Sequence, residues 1–348
     1  MNASNRRRVL HALAGLMGTG IMGLPRFAAA TEELVVTTYG GSWEKFWRAT
    51  LLPAFTAKTR VQPKLDIGLG RTYMSTMRAA GPGKSPYGVV MTNEIYASVL
   101  RAEGQFQKLD RALIPNFADL YPIATAAADG WGVVGLISPI GIGYRTDLVK
   151  TPPKSWKDLW TNPEFKGRVG LYSIQNTAGK MMLMLASRMY GGDIHNIDVG
   201  FKKLAELGRV MQTDFNMSTM MSTGEVVVAP FDFGEIARLR NQGLPVDCIS
   251  PEEGLLMWDQ TFNIPLGAPA ALAHAYIDYI LSPEGQTVLM KEFFVSPVNR
   301  KVVVPDSLKK DIPISGKEMD KFLAWDWAYM NKNTEAITKR WNEVVGKG

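Results

Sequence analysis

The sequence is poor in the residues that most covalent and metal chemistry requires. One cysteine, Cys248, occurs in 348 residues, so no disulfide can form within the chain. Its neighbours Val246, Asp247 and Ile249 fit a short strand, and Cys248 reads as core. Beyond residue 30 the only histidines are His195 and His274, far apart in the chain. Metal centres and acid–base sites draw heavily on histidine, so no metal, no cofactor and no catalytic residue is expected. There is no Gly-x-Ser-x-Gly elbow, no Walker loop and no His-Glu-x-x-His, and Gly68-Leu69-Gly70 lacks the remaining glycine of a dinucleotide fingerprint. Glu252 and Glu253 are adjacent and point apart, as solvated turn charges do. No basic run of five or more follows Arg8, which argues against a nucleic-acid partner. No stretch after residue 30 is apolar enough to cross a membrane.

The first thirty residues read as an address. Arg6, Arg7 and Arg8 give a basic start, residues 9–24 are apolar and uncharged, and Ala28-Ala29-Ala30 offers a cleavage site. That order is a secretory signal, with cleavage near Ala30 and a periplasmic mature protein. Glycines and Pro25 interrupt the apolar stretch, which is too short for an anchor. Asn5-Arg6-Arg7-Arg8-Val9-Leu10 resembles the twin-arginine export motif, with Val9 where an aromatic is usual, so twin-arginine and Sec routes both stand open. The chain's six-residue excess of basic over acidic side chains falls to two once the four arginines of this segment are set aside. The basic balance thus belongs largely to the leader.

About 318 residues remain, more than one core usually supports, so two lobes are expected. Leu34-Val35-Val36-Thr37-Thr38-Tyr39 reads as a buried strand, broken by Gly40-Gly41-Ser42. Ser42 is placed to cap a helix over residues 43–58, with Trp43, Phe46, Trp47, Leu51 and Phe55 at helical spacing. Further strands over residues 61–67 and 89–91 alternate with helices, which predicts an α/β lobe with a largely parallel sheet. Residues 131–144 are long and extended and are read as a crossover to a second lobe; residues 258–264 are read as the return. Between them, strands near 169–172, 225–230 and 245–249 alternate with helices, one of them rich in methionine at core spacing. Helices follow over 270–281, 284–294 and 317–345. The expected division is 31–136 plus 262–348 as the first lobe, with the C-terminal helices, and 137–261 as the second.

Strand after strand ends in small or polar residues just before a helix. Tyr39 and Trp43 flank the first such turn, Thr92, Asn93 and Glu94 form the second, Ser173, Gln175 and Asn176 the third, and Phe231 and Asp232 the fourth. Each alone is an ordinary cap or turn residue. Their recurrence at equivalent positions matters, because ligands in open α/β sheets bind outside the carboxyl ends of strands. Free N–H groups at helix starts favour anions, amide and hydroxyl side chains add directional bonds, and Tyr39, Trp43, Phe231 and Trp258 supply aromatic walls.

At this point the chain resembles the periplasmic solute-binding proteins of the spermidine/putrescine type, over nearly all of its mature length. The markers are the aromatic-polar turn at residues 39–43, Ser155-Trp156-Lys157-Asp158-Leu159-Trp160 followed by Phe165-Lys166-Gly167, Gly224-Glu225-Val226, Trp258 leading to Ile264-Pro265, and Ser296-Pro297-Val298-Asn299. The resemblance implies the two-lobed α/β periplasmic-binding-protein fold of type II, with two crossover strands and a cleft that closes over solute. It implies a monomer without cofactor, a small-molecule ligand and an inner-membrane ABC permease as partner. Carried over by motif, the contacts fall at Tyr39, Trp43, Thr92, Asn93, Glu94, Ser173, Gln175, Asn176 and Trp258. Two departures bear on the ligand. Gln260 stands where polyamine binders place an Asp, and Phe231-Asp232 stands where they have Trp-Asn. A neutral Gln260 cannot pair with an ammonium, whereas Glu94 or Asp232 can. The expectation is therefore an amine-type or mixed-charge solute rather than spermidine itself. The alternatives are an anionic solute such as a phosphonate, or an exported enzyme on the same fold.

Overall fold

The computed structural model describes residues 33–345 apart from 127, 208–209 and 214–215, so the export signal expected over residues 1–30 lies outside the described residues. The chain opens with β1 (Val35–Thr38), whose β-branched residues are almost wholly buried. Helix α1 follows in three successive stretches, Ser42–Phe46, a wider π-type turn over Trp47–Leu51, and Leu52–Thr59. Ser42 does not cap it: the N-cap is Gly41 at φ 70°, a left-handed conformation that favours glycine, and no side chain completes the cap. The expected stripe of Phe46, Trp47, Leu51 and Phe55 does face the core. Next come β2 (Lys64–Ile67), α2 (Gly70–Ala80), β3 (Val90–Thr92) and α3 (Glu94–Ala102).

Strand β4 (Val133–Arg145) is 13 residues long and buried along its whole length. Beyond it lie β5 (Gly170–Tyr172), α4 (Thr177–Gly191), α5 (Ile197–Glu206), β6 (Met211–Thr213), β7 (Val228–Asp232), α6 (Phe233–Asn241) and β8 (Val246–Ile249). Strand β9 (Leu256–Asn263) precedes α7 (Ala270–Leu281) and α8 (Pro283–Phe293), and the tail forms α9 (Trp327–Lys332) and α10 (Thr334–Val344).

The sheets are parallel only in part. Strands β1 and β2 pair in parallel, and a parallel bridge from Val36 to Val89 ties β1 to the start of β3. The second lobe repeats this, with β5 parallel to β6 and a parallel bridge from Val169 to Val228 at β7. Strands β9 and β4 enter antiparallel: β3 pairs β9, β9 pairs β4, and β4 pairs β7 and β8. A chain that leaves one lobe and returns must run its two connections in opposite directions, which is why the antiparallel pair sits between the two parallel sets.

Two large apolar cores flank this pair. Val133, Val134, Leu136 and Ile137 of β4 belong to the first core, and Ile140, Ile142 and Tyr144 belong to the second. Strand β9 does the reverse, with Leu256 in the second core, Phe262 in the first, and Trp258 touching both. The molecule is thus a two-lobed α/β fold joined by two crossover strands. The methionines of α4 pack as expected, with Met181, Met182 and Met184 fully buried. The tail departs from expectation. Met330, Ile337 and Trp341 of α9 and α10 insert into the second core rather than the first, and Trp341 Nε1 donates to Gln212 Oε1 at 2.8 Å. The apolar face of α10 has its partner on α5, which the linear sequence does not reveal.

Candidate ligand-binding cleft

A cavity of about 440 Å³ opens between the lobes, where the strand tips converge. Tyr39 and Trp43 reach it from the end of β1, Asn93 from the end of β3, Gln175 and Asn176 from the turn after β5, Asp232 from the end of β7, and Trp258 from β9. The helix starts explain the placement of the polar groups. Asn176 Oδ1 accepts the Ala178 N–H at 2.9 Å and Asp232 Oδ1 accepts the Glu235 N–H at 3.1 Å, capping α4 and α6. Asn93 starts α3 without such a cap; its Nδ2 instead donates to the Asp259 carbonyl at 2.5 Å, tying the strand end to the return crossover.

One wall is aromatic. Trp43 stacks on Phe293 with ring centroids 4.0 Å apart and an 11° interplanar angle, and Trp258 and Tyr39 lean on the same indole at 5.6 Å. The Tyr39 hydroxyl donates to Gln260 Oε1 at 2.8 Å. Burial pushes that phenol well above its ordinary pKa, so it acts as a neutral donor. Tyr172, raised likewise by burial and then by the nearby charges of Asp232 and Glu235, stays neutral as well.

The charged lining among the described residues consists of Arg71, Asp232, Glu235 and Arg238. Glu235 and Arg238 pair with each other. Asp232 has no cationic partner among the described residues, and burial, with the Glu235 charge behind it, pushes its carboxyl up to about 6. The Ser138 hydroxyl and the Gly234 and Glu235 N–H groups hold the value down from going higher. At neutral pH the group is therefore mostly an ionised carboxylate, partly buried and without a cationic partner among the described residues, facing a cavity with an aromatic wall.

Five of the expected site residues lie elsewhere. Glu94 is the consequential correction: its carboxylate turns along α3 to Arg101 and forms a two-point pair at 2.8 and 2.9 Å, so its charge is already neutralised. Gln260 is fully buried behind the wall and positions Tyr39. Phe231 is fully buried in a small core under α6, because alternation along β7 points it away from the cleft when Asp232 faces it. Thr92 is fully buried, with its carbonyl accepting from Thr261 Oγ1 at 3.0 Å. The Ser173 hydroxyl accepts the Gln175 N–H at 3.2 Å and shapes the turn. Several lining residues escape the sequence reading, among them Arg71, Tyr96, Ser138, Ser218 and Phe293. Arg71 had a signal: it follows Gly68-Leu69-Gly70 at the tip of β2, a strand end of the same kind as the others.

The histidines are used structurally. His274 Nε2 accepts the Asp110 N–H at 2.8 Å while Nδ1 meets the Ala270 carbonyl at 2.6 Å, and His195 sits on the surface between Asp193 and Asp326. No cluster of metal-ligating side chains occurs among the described residues. Cys248 is half-buried, packed against the first core and the small core under α6 rather than inside either, and burial pushes its thiol well above its ordinary pKa.

Comparison with known proteins bears on this cleft. The chain is 26% identical over 284 residues to the spermidine/putrescine-binding periplasmic protein of Escherichia coli, covering 77% of this chain and 79% of that one. It is 22% identical to the gamma-aminobutyric acid-binding protein of Pseudomonas aeruginosa, over 95% of this chain and 96% of that one. A crystal structure of an ABC transporter from Clostridium perfringens superposes with a TM-score of 0.78 at 26% identity, covering 90% of this chain and 99% of that one. These relatives are solute-binding proteins rather than enzymes. The family model for the bacterial extracellular solute-binding proteins matches residues 88–333, both crossover strands and the cleft side of the second lobe included, and the chain belongs to that family.

Proposed function

We propose that this chain is the exported capture component of an ABC importer, holding a small amine-bearing or mixed-charge solute in the interlobe cleft and presenting it to an inner-membrane permease. The observation that carries this reading is Asp232: an ionised carboxylate without a cationic partner among the described residues, set in an aromatic-walled cavity. Desolvated carboxylates gain most from a charge-assisted hydrogen bond to an ammonium, and aromatic faces favour the same cation. A purely anionic solute would leave the Asp232 carboxylate without a cationic partner. The ligands named for the relatives, spermidine, putrescine and gamma-aminobutyric acid, share a primary ammonium on a short methylene chain.

Closure follows from differential affinity. A solute that touches both lobes binds the closed form more tightly than the open one and shifts the population toward it. Strands β4 and β9 are the connections that must bend. The core assignments support lobe boundaries near residues 137 and 261, with the C-terminal helices added to the second lobe. No chemical step is required of the protein, and export would follow the N-terminal signal.

A thermal-shift panel of amines, amino acids and phosphonates, followed by calorimetry on the wild type and on Asp232→Asn, tests the reading. At least one primary amine should raise the melting temperature, because a ligand of the native state stabilises it, and Asp232→Asn should weaken that amine by about tenfold or more. A panel in which no amine binds, or an amine bound equally by Asp232→Asn, would overturn it.

A further inference from the structure

Among the described residues, the two charges that line the cleft without an ion-pair partner have opposite signs and come from opposite lobes. Asp232 stands at the end of β7 in the second lobe. Arg71 stands in the first turn of α2 in the first lobe and lines the same cavity. Its guanidinium lies close enough to Tyr96, another lining residue, to draw that phenol's pKa down against the larger upward push of burial. Among the described residues no carboxylate pairs with Arg71, whereas the other arginine of the lining, Arg238, is already held by Glu235. The start of α2 has no side-chain cap and no acid in its first turn, so the positive end of the helix dipole adds to the Arg71 charge. A Cβ on Gly70 would run into Thr92 Oγ1 and, at 2.6 Å, the Tyr96 ring, so only glycine lets this helix start sit so near the strand tip beside the cleft.

Resting on the amine reading above, we propose that the solute is a zwitterion with its two charges at opposite ends, an ω-amino acid in chemical class, and that Arg71 determines this specificity. The ammonium pairs with Asp232 of the second lobe and the carboxylate with Arg71 of the first. A diamine of the same length satisfies Asp232 but brings a second cation to Arg71. A planar guanidinium can bind a carboxylate through two parallel hydrogen bonds, which selects against that diamine by repulsion as well as for the acid by attraction. Because each charge belongs to a different lobe, only a solute carrying both ends gains fully from closure.

The test is calorimetric titration of wild type, Arg71→Met, Arg71→Lys and Asp232→Asn with two probes of matched length, 4-aminobutyrate and putrescine. Wild type should prefer 4-aminobutyrate. Arg71→Met should lower the 4-aminobutyrate-to-putrescine affinity ratio by about tenfold or more, and Arg71→Lys should restore part of it. Asp232→Asn should weaken both probes. Tighter binding of putrescine than of 4-aminobutyrate by the wild type, or equal losses for both probes in Arg71→Met, overturns the zwitterion proposal while leaving the amine reading intact. Failure of both probes to bind the folded wild type overturns the zwitterion proposal, and the amine reading falls with it only if no other amine of the thermal-shift panel binds.

Discussion

Asp232 caps α6 through the Glu235 N–H and at the same time faces the cleft, and these two placements pull on its charge in opposite directions. The cap favours the carboxylate, burial opposes it, and burial wins, with the folded pKa pushed up to about 6. An acid whose folded pKa exceeds its unfolded value of about 4 binds its proton more tightly in the folded state. The ligand-free protein therefore loses stability from this group as pH rises from about 4 through about 6. Asp232→Asn keeps a capping side chain and removes the buried charge. Scanning calorimetry of the ligand-free protein should show Asp232→Asn melting higher than wild type at pH 7.5, with the gap narrowing toward pH 4; a lower melting temperature for the variant at pH 7.5 would contradict the electrostatic account. Amine binding should run the other way, strengthening as pH rises through about 6 and releasing protons below it. At this scale the sequence was legible where capping and cleft lining coincide, as at Asn176 and Asp232, and where an aromatic of a strand lines the cleft, as at Tyr39 and Trp258. It misled at Glu94, although Arg101 lies seven residues on and therefore on the same face of α3.

The crossover strands are the elements that the proposed closure would bend, and they tolerate little change in volume. Strand β4 crosses from one core to the other with every residue buried, and its glycines let neighbours approach closely. A Cβ added at Gly143 would lie 2.6 Å from Phe231 Cβ and 3.0 Å from Ile236 Cδ1, both fixed by the small core under α6. Overpacking of this kind costs about 1–3 kcal/mol. Gly143→Val should accordingly lower the unfolding free energy read from urea titration by an amount in that range, and an unchanged unfolding free energy would show that the second lobe yields more easily than its packing indicates. Both crossovers were readable from the sequence, β4 as a long glycine-punctuated β run and β9 from its tryptophan. Their antiparallel insertion was not, because strand–helix alternation reports the direction of neighbouring strands within a lobe but says nothing of a strand that arrives from the other lobe.

For the molecule as a whole, two cores joined by two strands leave a cleft as the one place where both lobes meet a common guest. The tail reinforces this arrangement. Helix α10 completes the second core, while Asn331 of α9 donates from Nδ2 to the Ile95 carbonyl of α3 at 2.8 Å, so the C-terminal segment touches both lobes. That long-range closure was invisible in the linear pattern: an amphipathic helix announces an apolar face but not the core that will receive it. The strand-tip convergence, by contrast, followed from topology alone and needed no long-range information. The measurement that bears most directly on the account is a crystal structure of the protein with the amine probe that stabilises it most. The expected result is an ammonium nitrogen about 3 Å from an Asp232 carboxylate oxygen, with the solute enclosed by Trp43 and Tyr39 of one lobe and by the Asn176 turn of the other. A probe bound outside the cleft, or held by one lobe with Asp232 unengaged, would contradict it.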